Sequence, residues 1–455
     1  MLMLKNTFPR RPIHSSPVRM ILFFYFVAVI LSTILLSLPV AYQEGVQVSF
    51  IDVVFTAVSA LSVTGLTTIT IADTFSTTGI VMLACILQLG AVGVMGMGTF
   101  IWILLGKRIG LKGRRLIMTD QNQTKLRGMV RFIKEIFLVL LIIEFIGFVI
   151  LGTYYLRYFP SVSEAYFHGF FSTISAVSNG GFDITGQSLH FYQNDYFVQM
   201  ITMLLIIFGA IGFPVLIEVK EYLFTSRDQR QFFRFSLFTK VTTSTFFTLV
   251  AVGTLFIYIL ERSYFLSGKL WHEKLFYALF QSVTTRSAGL STMDVSEFTE
   301  PTQLFMSFLM FIGASPSSTG GGIRTTTFAL VVIFIITYAR GGESIRLFKR
   351  EIYEEDLTKA VTVALLAIII VFFSLLTLSI LEPFSMIQLL FEVTSAFGTV
   401  GLSLGITSDL SSISKTILML LMFIGRVGIL NFLFTFQNNN HRGNYHFPKE
   451  RMIIG

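Results

Sequence analysis

The sequence predicts an all-α polytopic membrane protein with eight transmembrane helices and four re-entrant pore half-helices, in four span–half-span–span repeats around a central pore. Three observations predict this fold class. Of the residues in the chain, 53% are hydrophobic and only 13% are charged, whereas roughly a quarter of the residues in soluble domains are charged. Eight apolar segments are each long enough to cross about 30 Å of hydrocarbon. Four shorter segments between them share one pattern around a glycine.

The eight long segments are 20–40, 78–106, 133–157, 197–217, 241–260, 303–338, 360–381 and 415–436. The first has no small-residue cleavage site after it, so we expect a retained helix and not a signal peptide. Each pair of long segments encloses a shorter amphipathic piece, near 51–63, 164–178, 271–285 and 385–398. These pieces are too short to span a bilayer. We therefore expect each to enter and leave on one side.

This arrangement divides the chain into consecutive regions. They are a cytoplasmic N-terminal tail 1–19, repeat 1 at 20–107, repeat 2 at 131–220, repeat 3 at 240–340, repeat 4 at 359–437 and a cytoplasmic C-terminal tail 438–455.

The distribution of basic residues predicts the orientation. Of 34 Lys and Arg residues, 26 fall in the tails and in segments 107–134, 220–240 and 340–359, and only five fall in the loops on the other side. Cytoplasmic loops carry such an excess of Lys and Arg. We expect both termini in the cytoplasm and all four half-spans entering from outside. The basic loops set the orientation, and a contact surface for a cytosolic partner is a second possibility.

The four half-spans align on one glycine each. They read "FTAVSALSVTGL" (55–66), "FSTISAVSNGGF" (171–182), "LFQSVTTRSAGL" (279–290) and "FEVTSAFGTVGL" (391–402), with Gly65, Gly181, Gly289 and Gly401 in register. Successive glycines are 116, 108 and 112 residues apart. So regular a period indicates four copies of one unit. Glycines that only allow close helix packing are the alternative, but packing does not require half-spans.

Irregular backbone at membrane depth is tolerated only where it is buried in protein or lines a water-filled cavity. Glycine permits backbone conformations closed to other residues, and four such strands can point carbonyl oxygens at an ion. Half-helices entering from outside direct their partly negative C-terminal ends at the centre, which favours a cation. The predicted filter strands contain Val63, Thr64, Gly65, Asn179, Gly180, Gly181, Ser287, Ala288, Gly289, Thr399, Val400 and Gly401.

The sixth long segment is interrupted by "GASPSSTGGGIR" (313–324). A continuous helix does not run easily through this composition. We expect an intramembrane loop beneath the filter, and a simple helix kink is the alternative. Its residues are Gly313, Ala314, Ser315, Pro316, Ser317, Ser318, Thr319, Gly320, Gly321 and Gly322. A phosphate-binding loop is a poor alternative because the Gly-Lys-Ser/Thr ending is missing.

Arg426 lies within an apolar segment, where an arginine costs about 2.5–3.5 kcal/mol on insertion scales. Two explanations remain open. One is a structural ion pair, with Glu392 and Glu144 as candidate partners, or a cap on half-helix carbonyls. The other is a fixed positive charge below the filter. Arg286, just before the third filter glycine, is expected to brace its strand.

Other function classes find little support. The single cysteine, Cys85, excludes an internal disulfide and a cysteine metal site. The six histidines are dispersed, which argues against a metalloenzyme. The formal charge of +8 is explained by the basic residues that orient the chain in the membrane, so we expect no nucleic-acid partner. A membrane-embedded enzyme acting on a lipid substrate is the alternative function, but such enzymes need clustered catalytic groups. Ionisable residues in the apolar segments are few and dispersed.

The segments "SVTGL", "SNGGF", "RSAGL" and "TVGL", together with "GASPSSTGGGIRTTT" (313–327) and "MFIGRVGIL" (422–430), resemble the Trk/Ktr/HKT superfamily of potassium transporters. With eight spans, the chain is most similar to the Ktr membrane subunits of the KtrB type. Relatives often have Asn-Asn-Ala-Gly where this chain has Ser178-Asn179-Gly180-Gly181. The filter glycine itself is kept.

The resemblance implies potassium uptake across the plasma membrane through a potassium-selective filter, with the ion held by filter backbone carbonyls. It implies that 313–324 is the gating loop and that Arg426 faces the pore. It also implies a homodimer, sodium-dependent activation and a cytosolic ring of KtrA- or KtrC-like subunits. Nucleotide would act only through that ring, and no covalent cofactor is expected. Channel-like conduction and sodium-coupled symport remain open.

Overall fold

The computed structural model describes residues 17–105, 109–121, 128–342, 344–436 and 450. Most of the tails, 1–19 and 438–455, and part of the basic segment 107–134 therefore lie outside the described residues. The described part is almost entirely helical, and its two short strands, Arg346–Leu347 and Arg350–Glu351, pair antiparallel in one hairpin.

The half-helices lie at Phe50–Ser62, Val162–Ser178, Trp271–Thr284 and Met386–Gly398 and are called half-helices 1 to 4. Local chemistry defines their ends. The Ser49 side chain accepts a hydrogen bond from the Asp52 amide, and Ser385 forms a capping box with Gln388, so both satisfy amides that the first helical turn leaves free. All four half-helices lie within two residues of the segments expected from the sequence.

The first helix of each repeat is long and unbroken: Pro17–Leu36, Met129–Tyr155, Leu237–Glu261 and Glu354–Leu381. These four helices are apolar and long enough to cross a bilayer. They bury only 17–33% of the residues in their most apolar windows and expose large side chains such as Phe145 and Phe372. Such length and exposed apolar side chains are those expected of helices that face lipid.

The second span of each repeat is broken. The pieces are Thr77–Val92 and Val94–Leu104, Tyr196–Ala210 and Phe213–Phe224, Glu300–Ile312 and Thr325–Ala339, and Ser412–Val427 and Ile429–Phe436. The first two pairs bend by 98° and 105°, and counting each as one span raises the candidate spans in the described chain from four to six. The sequence predicted continuous spans at 78–106, 197–217 and 415–436, and these breaks are a correction to them.

One backbone conformation accounts for the breaks. Gly93, Gly212, Arg324 and Gly428 have φ of 87°, 104°, 80° and 92°, with ψ between 132° and 146°. Glycine adopts this region freely, while other residues are strained there. Repeats 1, 2 and 4 therefore use a glycine to turn the chain, and repeat 3 uses an arginine.

The remaining elements are short. They are the helices Ile71–Thr74, Leu111–Asp120 and Arg227–Arg230 and the 3-10 turns Pro39–Ala41, His190–Tyr192, Val295–Glu297 and Thr407–Asp409. The core lies around the half-helices, where Phe55, Phe171, Phe280 and Phe391 are at most 1% exposed. This packing holds the segments that follow the half-helices at the centre of the molecule.

Candidate filter and gate

The four aligned glycines lie in one ring. A Cβ atom added at Gly181 would lie 3.2 Å from the Cα atoms of both Gly65 and Gly289, and one added at Gly401 would lie 3.1 Å from that of Gly65. A Cβ atom at Gly289 would lie 3.1 Å from the Cα atoms of Gly181 and Gly401. The ring follows chain order and closes between repeats 4 and 1. Residues separated by up to 336 positions thus surround one axis.

Each ring glycine faces a carbonyl oxygen of the next repeat. Gly65 faces the oxygen of Gly180, Gly181 that of Ala288, Gly289 that of Val400, and Gly401 that of Thr64. A Cβ atom at any of the four glycines would lie within 3.0 Å of that oxygen. Real Cβ atoms essentially never come as close as at Gly65, Gly289 and Gly401, and the contact at Gly181 is tighter than most. The ring therefore has room for backbone only, and four carbonyl groups lie beside it.

The residue two positions before each ring glycine also has positive φ: Val63 at 57°, Asn179 at 58°, Ser287 at 78° and Thr399 at 48°. Such a conformation is a strained outlier for β-branched Val63 and Thr399. Residues held in strained conformations persist only where their surroundings enforce them, and they cluster at functional sites. The same turn thus redirects all four strands.

Serines at the ends of the half-helices support three of these strands. The carbonyls of Ser59, Ser175 and Ser395 accept from the amides of Thr64, Gly180 and Val400 at 2.7–2.8 Å. The hydroxyls of Ser59 and Ser395 also accept from the ring glycines Gly65 and Gly401 at 3.1 Å. The Ser175 hydroxyl instead donates to the Phe182 carbonyl at 2.6 Å. Each serine therefore fixes its strand at two points.

The third strand is held differently, because Val283 occupies the serine position. The Thr284 hydroxyl instead donates to the Leu290 carbonyl at 2.5 Å. The fully buried Arg286 donates from Nη2 to the Leu309 carbonyl at 2.7 Å, while its Nε and Nη1 find no partner among the described residues. Arg286 thus ties the third strand to the helix that precedes the interrupted segment.

A cavity of about 370 Å³ opens from the ring. Its lining contains all four ring glycines and hydroxyl-bearing residues such as Thr67, Ser403 and Thr407, with Asp183 as the one carboxylate. Asp183 accepts from the amides of Thr185 and Ser188 at 3.0 and 2.8 Å. Burial raises the pKa of this carboxyl group, and those hydrogen bonds oppose the rise. The cavity is polar and can hold a hydrated cation.

The interrupted segment 313–324 lies against the opposite side of the ring. A Cβ atom added at Gly320 would meet the Ser287 side chain, and one added at Gly321 would lie 2.6 Å from the Thr399 hydroxyl oxygen. With the Asn179 amide oriented to satisfy its neighbours, its oxygen accepts from the Thr319 hydroxyl at 3.2 Å. The loop therefore touches three of the four predicted filter strands.

Backbone hydrogen bonds fasten the loop to the helix break of repeat 2. The amides of Ser315 and Thr319 donate to the carbonyls of Ala210 and Gly209 at 3.0 and 3.2 Å. The Ser317 carbonyl accepts from the Phe213 amide at 2.7 Å. The segment is thus an ordered, buried loop, where a helix kink was the alternative.

Arg426 bridges the loop and repeat 1. Its Nη1 donates to the carbonyls of Ser318, Thr319 and Gly320, and its Nη2 donates to those of Gly90 and Ala91. The candidate acidic partners lie elsewhere: Glu392 accepts from Ser403 and Thr407, and Glu144 accepts from Gln88. These carbonyls belong to the loop and to the helix Thr77–Val92, and not to a half-helix as expected. Arg426 thus caps carbonyls and places a positive charge beside the loop.

Sequence analysis missed a role for Arg324. Its guanidinium donates to the carbonyls of Ser315, Gly320 and Arg426, and its backbone takes the conformation that glycine takes in the other three repeats. Aligning the second spans on Gly93, Gly212 and Gly428 exposes the substitution of arginine for glycine in repeat 3.

Comparisons with known proteins give the family. The family model described as TrkH, cation transport protein, matches residues 6–445. The chain belongs to this family. It is 56% identical over 440 residues to the Ktr system potassium uptake protein D of Bacillus subtilis, covering 97% of each chain. It is 35% identical over 446 residues to the Ktr system potassium uptake protein B of the same organism, again covering 97% of each.

A solved structure shares the fold. The crystal structure of the potassium transporter TrkH from Vibrio parahaemolyticus matches with a TM-score of 0.74 at 18% identity, covering 94% of this chain and 86% of that one. The family and these apolar helices confirm the prediction of a multi-pass helical membrane protein.

Proposed function

We propose that this chain takes up potassium ions as the pore-forming membrane subunit of a Ktr-type system. The observation that carries this proposal is the closed ring of Gly65, Gly181, Gly289 and Gly401, with one carbonyl of the next repeat beside each glycine. The relatives at 56% and 35% identity are named potassium uptake proteins, and they are transporters and not enzymes. A lipid-modifying activity is therefore not proposed.

The proposed pathway runs from the cavity through the ring. The bilayer is crossed by eight spans, four of them broken, and the half-helices enter from outside. Their C-terminal ends meet at the ring, where the partial negative charge favours a cation. Backbone carbonyls of the strands 63–65, 179–181, 287–289 and 399–401 replace water around a dehydrated potassium ion.

The loop 313–322 is proposed as the gate, with Arg426 as a fixed positive charge beside it. The loop fills the space beneath three filter strands and is fastened to two helix breaks. An ion leaving the ring meets this loop, so conduction requires the loop to move.

The remaining features of a Ktr-type system are part of the same proposal. They are residence in the plasma membrane with both termini in the cytoplasm, a homodimer, activation by sodium, and a cytosolic KtrA- or KtrC-like ring that binds nucleotide. The names of the relatives as components of a Ktr system support partner subunits. The basic cytoplasmic segments offer a surface for such partners.

Reconstituted protein tests the function. Liposomes containing the purified chain should take up rubidium-86 down an imposed gradient, and potassium should compete better than sodium. Each repeat contributes one ring glycine, where a potassium channel has four identical Thr-Val-Gly-Tyr-Gly loops. We therefore expect a weaker potassium preference than in such channels, measured from reversal potentials. Uptake no greater than in protein-free liposomes, for this chain and for a chain lacking 314–321, would reject the proposal.

A further inference from the structure

Ser287 is the point where the gating loop meets the filter. Its hydroxyl oxygen lies 2.6 Å from the carbonyl oxygen of Thr399 in the fourth strand and accepts from the Gly321 amide of the loop at 3.2 Å. The side chain is fully buried. One hydroxyl group therefore joins the third strand, the fourth strand and the loop.

The proton of this hydroxyl has a defined place. A serine hydroxyl has one hydrogen to donate and two lone pairs to accept. The Gly321 amide can only donate, so it uses a lone pair of the serine oxygen. The hydrogen then goes to the Thr399 carbonyl, which is the nearest acceptor, ahead of the Thr399 hydroxyl at 3.0 Å and the Gly398 carbonyl at 3.1 Å. The result is a directed chain from the loop amide through the hydroxyl to the carbonyl, in which each bond strengthens the next.

The surroundings leave few alternatives to this contact. A Cβ atom at Gly320 would collide with the Ser287 side chain, and one at Gly321 would collide with Thr399. The two glycines thus let the loop backbone approach the strand closely enough for the bond to form. Ser287 has φ of 78°, so its own conformation is unfavourable for any residue with a side chain.

The residue before Ser287 contacts the helix that leads into the loop. The carbonyl of Leu309 accepts both from Arg286 at 2.7 Å and from the amide of Gly313 at 3.2 Å. Arg286 therefore holds the helix from which the loop departs, while Ser287 holds the loop itself near its last residue.

We propose that the Ser287 hydroxyl is the latch of the gating loop: it holds Gly321 against the fourth filter strand, and its release accompanies opening. The inference rests on the proposed function and adds a positioning residue that controls how often the loop opens. The Thr399 carbonyl serves as the anchor that orients the hydroxyl, and the Gly321 amide is the group released.

The test variant is Ser287→Gly, because glycine accepts φ of 78° without strain and removes only the hydroxymethyl group. Rubidium-86 uptake by the purified full chain should rise about two- to tenfold, the population change expected from losing one ordinary hydrogen bond. Ser287→Ala should act in the same direction. Ser282→Ala is the matched control, since this buried serine lies five residues earlier, in half-helix 3, and donates to the Val250 carbonyl at 2.8 Å. It should leave uptake unchanged.

The decisive comparison combines Ser287→Gly with deletion of 314–321, which removes Gly321. A latch has nothing to hold in that background, so the substitution should no longer change the flux. Uptake unchanged in the otherwise intact chain, or raised equally with and without the loop, would overturn the latch. A deletion variant that is folded but carries no potassium would instead reject the proposed function, so the two failures are distinguishable.

Discussion

Single glycines decide whether the ring can form. At Gly401 a side chain would be both strained, because φ is 98°, and obstructed, because the Thr64 carbonyl occupies the position of a Cβ atom. Strain alone costs about 1–2 kcal/mol, which a large membrane protein survives. The obstruction is more severe, since the strand itself has to move to relieve it.

We therefore expect Gly401→Ala to lose most potassium transport while remaining folded. The matched control is Gly268→Ala, where φ is also positive at 76° but a Cβ atom would meet nothing within 4 Å. Growth rescue of a potassium-uptake-deficient host and rubidium-86 uptake measure the difference. Equal transport by both variants would show that the close approach of Gly401 to the Thr64 carbonyl is not needed for transport.

Arg324 is a residue with a side chain at a position where the backbone conformation favours glycine. Three repeats place glycine at the break of the second span, and repeat 3 places an arginine there at φ of 80°. Its guanidinium bonds three carbonyls around the loop, which compensates the strained backbone. Repeat 3 is also the repeat in which the break is extended into a loop.

At the scale of the element, the loop proposed as the gate is an insertion whose ends already meet. A Cβ atom at Gly313 would lie 3.1 Å from the Cα atom of Gly322. Removing 314–321 therefore joins two residues that are neighbours in space, and the flanking helices keep their positions. The deletion removes the carbonyls of Ser318, Thr319 and Gly320 that Arg426 now caps.

Deleting 314–321 should raise potassium flux, since the barrier beneath the ring is gone. Rubidium-86 uptake into liposomes is the measurement, with monodispersity on size-exclusion chromatography as the check on folding. A folded deletion variant with unchanged or lower flux would contradict the assignment of this loop as the gate.

At the scale of the whole molecule, the ring has to close between repeats 1 and 4, which no short connection joins. An ion pair lies at this closure: Lys415 Nζ is 3.0 Å from Asp52 Oδ1, with side chains only 9% and 17% exposed. Asp52 stands in the first turn of half-helix 1, and Lys415 stands in the helix Ser412–Val427. The pair therefore joins the first repeat to the last.

Asp52→Asn and Lys415→Met should each destabilise the protein by about 1.5–3 kcal/mol, the usual value of a hydrogen bond to a charged group. The double variant should lose less than the sum of the two. Thermal unfolding in detergent measures this cycle. The control is Asp356→Asn, which breaks the exposed pair with Lys359 and should cost below about 1 kcal/mol. Additive effects of the Asp52 and Lys415 substitutions would show that the two side chains do not stabilise the contact between repeats 1 and 4.

Much of the fold was predictable because its determinants are local. The half-helices lie within two residues of their expected positions, since amphipathic composition and the following glycine mark them in any context. The breaks at Gly93, Gly212 and Gly428 were not predicted, because apolar composition continues through them and hydropathy does not report backbone dihedral angles. The partners of Arg426 were not predicted either, because they are carbonyl groups, which every residue has.

The sequence by itself determined the family, the helical membrane class, the four half-helices and the glycine around which each strand turns. Those properties depend on amino-acid composition and on the spacing of the repeats, and both can be read directly from the sequence. The tertiary structure alone decided that the four glycines close into a ring, that the loop docks beneath it through Ser287, and that Asp52 meets Lys415. These are contacts between main-chain atoms and side chains separated by up to 363 positions, and only packing brings them together.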